Sequence, residues 1–90
     1  MKKNDYELKC NGYKNWYTFN VVVWLMNDRE LYNTCMQWRH NVEAKKEGYK
    51  KTYTNFLNMS GLYWYRSPDN TSLRNRNVCK KEVIEAIFED

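Results

Sequence analysis

The sequence predicts an all-α fold, a small bundle of three to four helices with an extended N-terminal arm. Three observations carry it. Apolar residues recur at helical spacing from Leu31 to Val42, side chains that cap helices stand before the periodic segments, and isolated glycines follow two of them. The alternative is an α+β fold with a short N-terminal strand or hairpin, because Tyr6, Leu8 and Cys10 alternate with polar residues. At 90 residues the chain holds one domain, 1–90, with one modest core. Four Trp, eight Tyr and three Phe supply large apolar areas for that core and argue against disorder of the whole chain.

Residues 1–14 read as an edge strand or an arm. In the next segment, 16–26, the run Val21-Val22-Val23 favours a strand by β-branching, whereas Trp16, Phe19, Val23 and Met26 fall at helical spacing behind Asn15, a good N-cap. The helix is the preferred reading. Asn27-Asp28-Arg29-Glu30 has the form of a capping box. After it Leu31, Cys35, Trp38 and Val42, flanked by Tyr32 and Met36, form one apolar stripe. That helix is expected to run from about Asp28 to Glu47, roughly 30 Å, with Gly48 as its stop.

Thr52 caps a shorter helix that turns Tyr53, Phe56 and Leu57 inward. Gly61 sits where a left-handed residue belongs, with Leu62 placed to complete a Schellman motif on Leu57. Residues 63–76 form a loop around the type I turn sequence Ser67-Pro68-Asp69-Asn70. Asn77 is expected to cap the last helix, which runs to about Phe88 with Val83, Ile84, Ile87 and Phe88 inward.

Chemistry-bearing motifs are sparse. No glycine-rich phosphate loop occurs, and His40 is the sole histidine, which removes triads and two-histidine metal motifs. Cys10, Cys35 and Cys79 lack a short chelating spacing, so no metal and no cofactor are expected, and Cys35 reads as core. Glu82, Glu85 and Glu89 share a helix face and read as a solvated one. No catalytic residue is assigned, and the chain is not expected to be an enzyme. An odd number of dispersed cysteines and a polar stretch after Met1-Lys2-Lys3 suggest a reducing cytoplasm. The longest apolar run, 21–26, is far short of a membrane span, so no membrane association is expected.

Charge is more informative. The net +4 excludes an acidic nucleic-acid mimic without demanding a nucleic-acid partner. Between residues 66 and 81 five basic residues (Arg66, Arg74, Arg76, Lys80 and Lys81) face only Asp69, a local excess equal to that of the whole chain; residues 82–90 carry −4. Directly before this basic stretch stands Tyr63-Trp64-Tyr65. Aromatic rings beside guanidinium groups suit a protein contact, with Tyr63, Trp64, Tyr65, Arg66, Arg74 and Arg76 as its residues. They equally suit stacked bases and phosphates, in which case Lys45, Lys46, Lys50 and Lys51 would join Arg66, Arg74 and Arg76. A third reading has the rings closing over the core while the arginines keep the loop soluble. The four lysines also have a structural reason, since they complement the dipole at the end of the long helix.

The segment Asn11-Gly12-Tyr13-Lys14-Asn15-Trp16-Tyr17-Thr18-Phe19-Asn20, continuing Val21-Val22-Val23-Trp24-Leu25-Met26-Asn27-Asp28-Arg29-Glu30-Leu31-Tyr32, resembles the "NGW-TNYETWNVALWI-NDEGLY" signature of small uncharacterised proteins encoded mainly by bacteriophages and related mobile elements. It covers about a quarter of the chain and links Asn20, Trp24, Asn27, Asp28 and Tyr32. Ser67-Pro68-Asp69 before a short amphipathic helix looks like the later part of the same family. Lys14, Tyr17 and Phe19 depart from the pattern, where Thr, Glu and Trp stand. The resemblance implies a helix rather than a strand at 16–26 and brings no catalytic residues with it. It leads to the expectation of a small phage-type accessory protein in the host cytoplasm that binds a host or phage macromolecule, as an inhibitor of host transcription or defence. A protein partner is preferred, a nucleic-acid-binding module is the alternative, and a homodimer built on the surplus aromatics stays open.

Overall fold

The computed structural model describes residues 12–89, and among them the fold is a bundle of four helices. These are α1 (Trp16–Asn27), α2 (Arg29–Glu43), α3 (Tyr53–Met59) and α4 (Lys80–Glu89). The all-α expectation holds, and no extended strand forms among the described residues. Residues 1–11 of the N-terminal arm, with the Tyr6, Leu8 and Cys10 alternation of the alternative strand, lie outside them; of the rest of the arm, Tyr13 packs against the core and Lys14 N–H donates to Glu82 Oε1 at 2.7 Å.

α1 is a helix despite its three valines because tertiary burial outweighs β-branching: Val21, Val22 and Leu25 are fully or almost fully enclosed. Its buried face differs from the row expected. Thr18, Val21, Val22 and Leu25 point inward, whereas Trp16, Phe19 and Met26 are half-buried and Val23 is exposed. Both rows have helical spacing, and a threonine at the centre of the inner one made it invisible to a count of apolar residues. The Thr18 hydroxyl donates to Asn15 Oδ1 at 2.9 Å and accepts the Cys79 N–H at 2.8 Å, which makes it a fitting core residue.

Asn15 caps α1, its Oδ1 accepting the Thr18 N–H at 2.9 Å, while its Nδ2 donates to the Asn77 carbonyl at 2.6 Å. One side chain therefore starts α1 and ties it to the approach of α4. Asn15→Ala should lower stability by about 1–2 kcal/mol through loss of the cap and the tether. Asn15→Asp keeps the cap without the donor, so its urea midpoint should fall between those of Asn15→Ala and the parent chain.

Three helix ends differ from the expected ones. Asp28, not Asn27, caps α2: it is the single residue between α1 and α2, its N–H donating to the Trp24 carbonyl and its Oδ1 accepting from the Leu31 N–H at 3.1 Å. Glu30 therefore forms no capping box with Asn27. α2 stops at Glu43 rather than Glu47, in a Schellman motif in which Lys46 and Lys45 donate to the carbonyls of Asn41 and Val42 and Lys45 takes a left-handed φ of 56°. The early turn pays for itself through Asn55, whose Nδ2 donates to Gly48 O and whose Oδ1 accepts both Lys50 N–H and Trp38 Nε1–H. Asn77 does not cap α4, which begins three residues later. The turn from Asn75 to Val78 uses those residues to drive Val78 into the core.

α3 follows expectation, with Thr52 accepting from the Asn55 N–H, Gly61 at φ 70° and Leu62 N–H donating to Leu57 O at 2.9 Å. At the centre of the bundle Trp38 from α2 meets Phe56 of α3 and Phe88 of α4 edge-on, at centroid distances of 5.1 and 5.7 Å. Val83, Ile84 and Ile87 are buried as expected, and Phe88 is half-buried.

Burial raises the Cys35 thiol from its ordinary value of 9.0 to about 12. Burial, and secondarily the neighbouring Cys35, also raises Tyr53, whose hydroxyl donates to Leu73 O at 2.6 Å. Above about pH 9 the unfolded chain sheds protons that the folded chain retains, so stability is fully present below that pH and falls as pH rises toward 12. Urea midpoints should be level up to about pH 9 and decline beyond it. Cys35→Ala should move the onset toward the tyrosine range.

Candidate partner-binding surface

The segment after α3 is held from both sides. Leu62 and Leu73 are buried at its two ends, Leu73 N–H donates to Tyr65 O, and an antiparallel bridge pairs Arg66 with Ser72. At the tip Asn70 N–H closes the expected turn on Ser67 O at 2.8 Å, and Thr71 N–H donates to Ser67 Oγ. Tyr53 anchors this loop to α3 through Leu73, and Asn20 anchors it to α1, its Nδ2 donating to Ser67 Oγ at 3.1 Å. Backbone so restrained holds the side chains it displays in fixed positions.

What it displays is an aromatic ledge. Trp64 is 76% exposed and Tyr65 50%. The Arg74 guanidinium carbon lies 4.3 Å from the Trp64 ring centroid and 4.7 Å from that of Tyr63, and its Nε donates to the Tyr63 carbonyl at 2.7 Å. Tyr63 and Trp64 meet edge-on at 5.1 Å. The guanidinium covers the indole on one side and leaves much of the ring in water.

Of the expected contact residues the structure thus joins Tyr63, Trp64 and Arg74, with Tyr65 exposed beside them. Arg66 is spent inside the turn, donating to Asn70 O at 3.0 Å, and Arg76 is exposed outside the stack. The lysines of the nucleic-acid reading are all exposed but belong to other parts of the fold. Lys45 and Lys46 close the end of α2, Lys50 pairs through its N–H with Asn55, and Lys51 Nζ lies 4.4 Å above the Phe88 ring. Lys51 also shares a cleft with Lys80 and Lys81 across α3 and α4, a convergence the sequence gives no sign of.

Two other surfaces are defined. Asn20, Trp24, Asn27 and Asp28 line a groove with Pro68 and Asp69, between α1 and the turn at 67–70. A second cleft lies along α2, between Asn33 and Asn41, beside the apolar stripe and with Trp38 of that stripe in its wall. His40 is exposed, and Glu82 accepts the Lys14 N–H at 2.7 Å beside exposed Glu85 and Glu89. Among the described residues no three His, Cys, Asp or Glu side chains are grouped to hold a metal ion, and no helix is long and apolar enough to cross a membrane.

The fold and this surface define a small all-α domain with a preformed aromatic and cationic ledge. Comparison with protein-family models, with curated proteins and with solved structures finds no match.

Proposed function

We propose that the chain is a small accessory protein of the phage type, working in the host cytoplasm by binding a host or phage protein and inhibiting a process such as transcription or defence. One observation carries the binding role: Trp64, the most exposed large apolar side chain among the described residues, is held on a tethered loop and stacked on Arg74. Tryptophan and arginine dominate protein hot spots because each buries a large area and still offers polar groups, and a preformed pair loses little freedom on binding.

A protein partner is favoured over nucleic acid because Arg74 is already engaged by two rings and a carbonyl and Arg66 by its own turn, which leaves fewer free guanidinium groups for phosphates. The test is capture from host lysate by tagged parent and Trp64→Ala chains, followed by affinity measurement with each protein that only the parent retains. Equal recovery by both chains would remove the proposal. Binding to single-stranded DNA at about 50 mM salt that weakens steeply as salt rises would replace it with the nucleic-acid reading.

A further inference from the structure

α2 carries a row of carboxamides that the bundle leaves facing a cleft. Asn33, Gln37 and Asn41 stand four residues apart, so successive members rise about 6 Å along the helix while the row turns by about 40° at each step. That drift takes it from exposed Asn33 and Gln37 at the rim to Asn41 at the floor, which is 6% exposed. With Tyr49 and the end of α3 at Met59 and Ser60, the row lines a cleft of about 320 Å³.

Asn41 is the anomaly. Its Oδ1 is buried without any hydrogen-bond donor, an arrangement that opposes folding and that an apolar side chain of the same size would avoid. The last torsion of the side chain is broad and nearly two-fold, so the carboxamide can turn either its oxygen or its nitrogen toward whatever enters the cleft. The cleft lining contains no Asp, Glu, Lys, Arg or His. Charge complementarity therefore selects an uncharged occupant.

The spacing selects its form. An extended polypeptide advances about 3.3 Å per residue, so equivalent groups on one edge recur about every 6.6 Å, close to the step of the carboxamide row. Each carboxamide carries one acceptor oxygen and a donor nitrogen, the complement of the C=O and N–H of a peptide unit. We propose that this cleft binds an extended, uncharged segment of a partner protein by its main chain. Asn33, Gln37 and Asn41 pair with alternate peptide units, and Trp38, Tyr49 and Met59 wall the space for a side chain. The site is independent of the Trp64 ledge.

The test uses the full chain and an array of acetylated, amidated octapeptides composed only of uncharged residues. A subset should bind the parent, and for the best of them Gln37→Ala and Asn41→Leu should each weaken affinity about tenfold or more, while Trp64→Ala leaves it unchanged. Methylating the peptide's amide nitrogens one at a time should abolish binding at every second residue. Gln37 is exposed, so its variant carries the test even where Asn41→Leu disturbs the fold. The proposal is overturned if no peptide prefers the parent to the Gln37→Ala chain, if methylation shows no alternation, or if Trp64→Ala removes binding instead.

Discussion

Trp64→Ala should cost at least about 2 kcal/mol of partner affinity, roughly thirtyfold or more in Kd, and leave the melting temperature where it was. The two halves of that expectation have separate causes. Trp64 is 76% exposed, so its removal opens no cavity. What disappears is the large apolar face and the surface against which Arg74 lies. Arg74→Lys should reproduce much of the loss, because a lysine can hold neither the flat stack on two rings nor the same Nε bond to the Tyr63 carbonyl. Since Trp64 and Arg74 act as one unit, the double variant should lose less than the sum of the two single losses. Titration of purified partner against the four chains, with calorimetric melts as control, decides it. A Trp64→Ala chain that binds at parent affinity removes the ledge from the interface.

Trp38→Ala has the largest expected effect on the fold itself, a loss of about 3–5 kcal/mol. The ring is 2% exposed, it separates Phe56 from Phe88, and its Nε1 donates to Asn55 Oδ1 at 3.0 Å. Removal leaves a void among three helices and takes one of two donors from the asparagine that fixes the 48–50 turn. For a domain of this size the melting temperature should fall by at least about 12 °C, and a chain near the lower end of typical stability would unfold near body temperature. Trp38→Phe keeps most of the packing and loses only the indole donor, so thermal melts should place it between the two. Equal melts for Trp38→Ala and the parent would contradict the central position of this ring.

The candidate surface was half legible. Tyr63-Trp64-Tyr65 next to an arginine-rich stretch marked the segment in which the structure exposes Trp64 and Tyr65 and stacks an arginine on Tyr63 and Trp64. Which arginine meets the rings was not legible, since Arg66 is closest in sequence and Arg74 is the partner in space. The 65–73 return decides that, and it depends on Leu73 being buried and on hydrogen bonds from Tyr53 and Asn20. The carboxamide row escaped notice for another reason: three amides spaced along a helix look like ordinary solvated positions until the chain beyond α2 folds back to enclose the last of them.

Sequence by itself determined the elements that rest on local chemistry. Asn15 and Thr52 as caps, Gly61 as the left-handed end of α3, the turn at Ser67 to Asn70 and the stripe through Leu31, Cys35 and Trp38 all involve neighbours within about one or two helical turns, where propensity and hydrogen bonding suffice. Tertiary structure alone decided what depends on distant partners. Thr18 faces inward because the Cys79 N–H, 61 residues away, needs its hydroxyl. α2 ends at Glu43 rather than Glu47 because Asn55 draws the following turn back onto Trp38, and α4 begins only at Lys80 because Val78 must first reach the core. In each of these places the local preference is worth about 1 kcal/mol or less, and burial of a whole side chain or of a backbone N–H outweighs it.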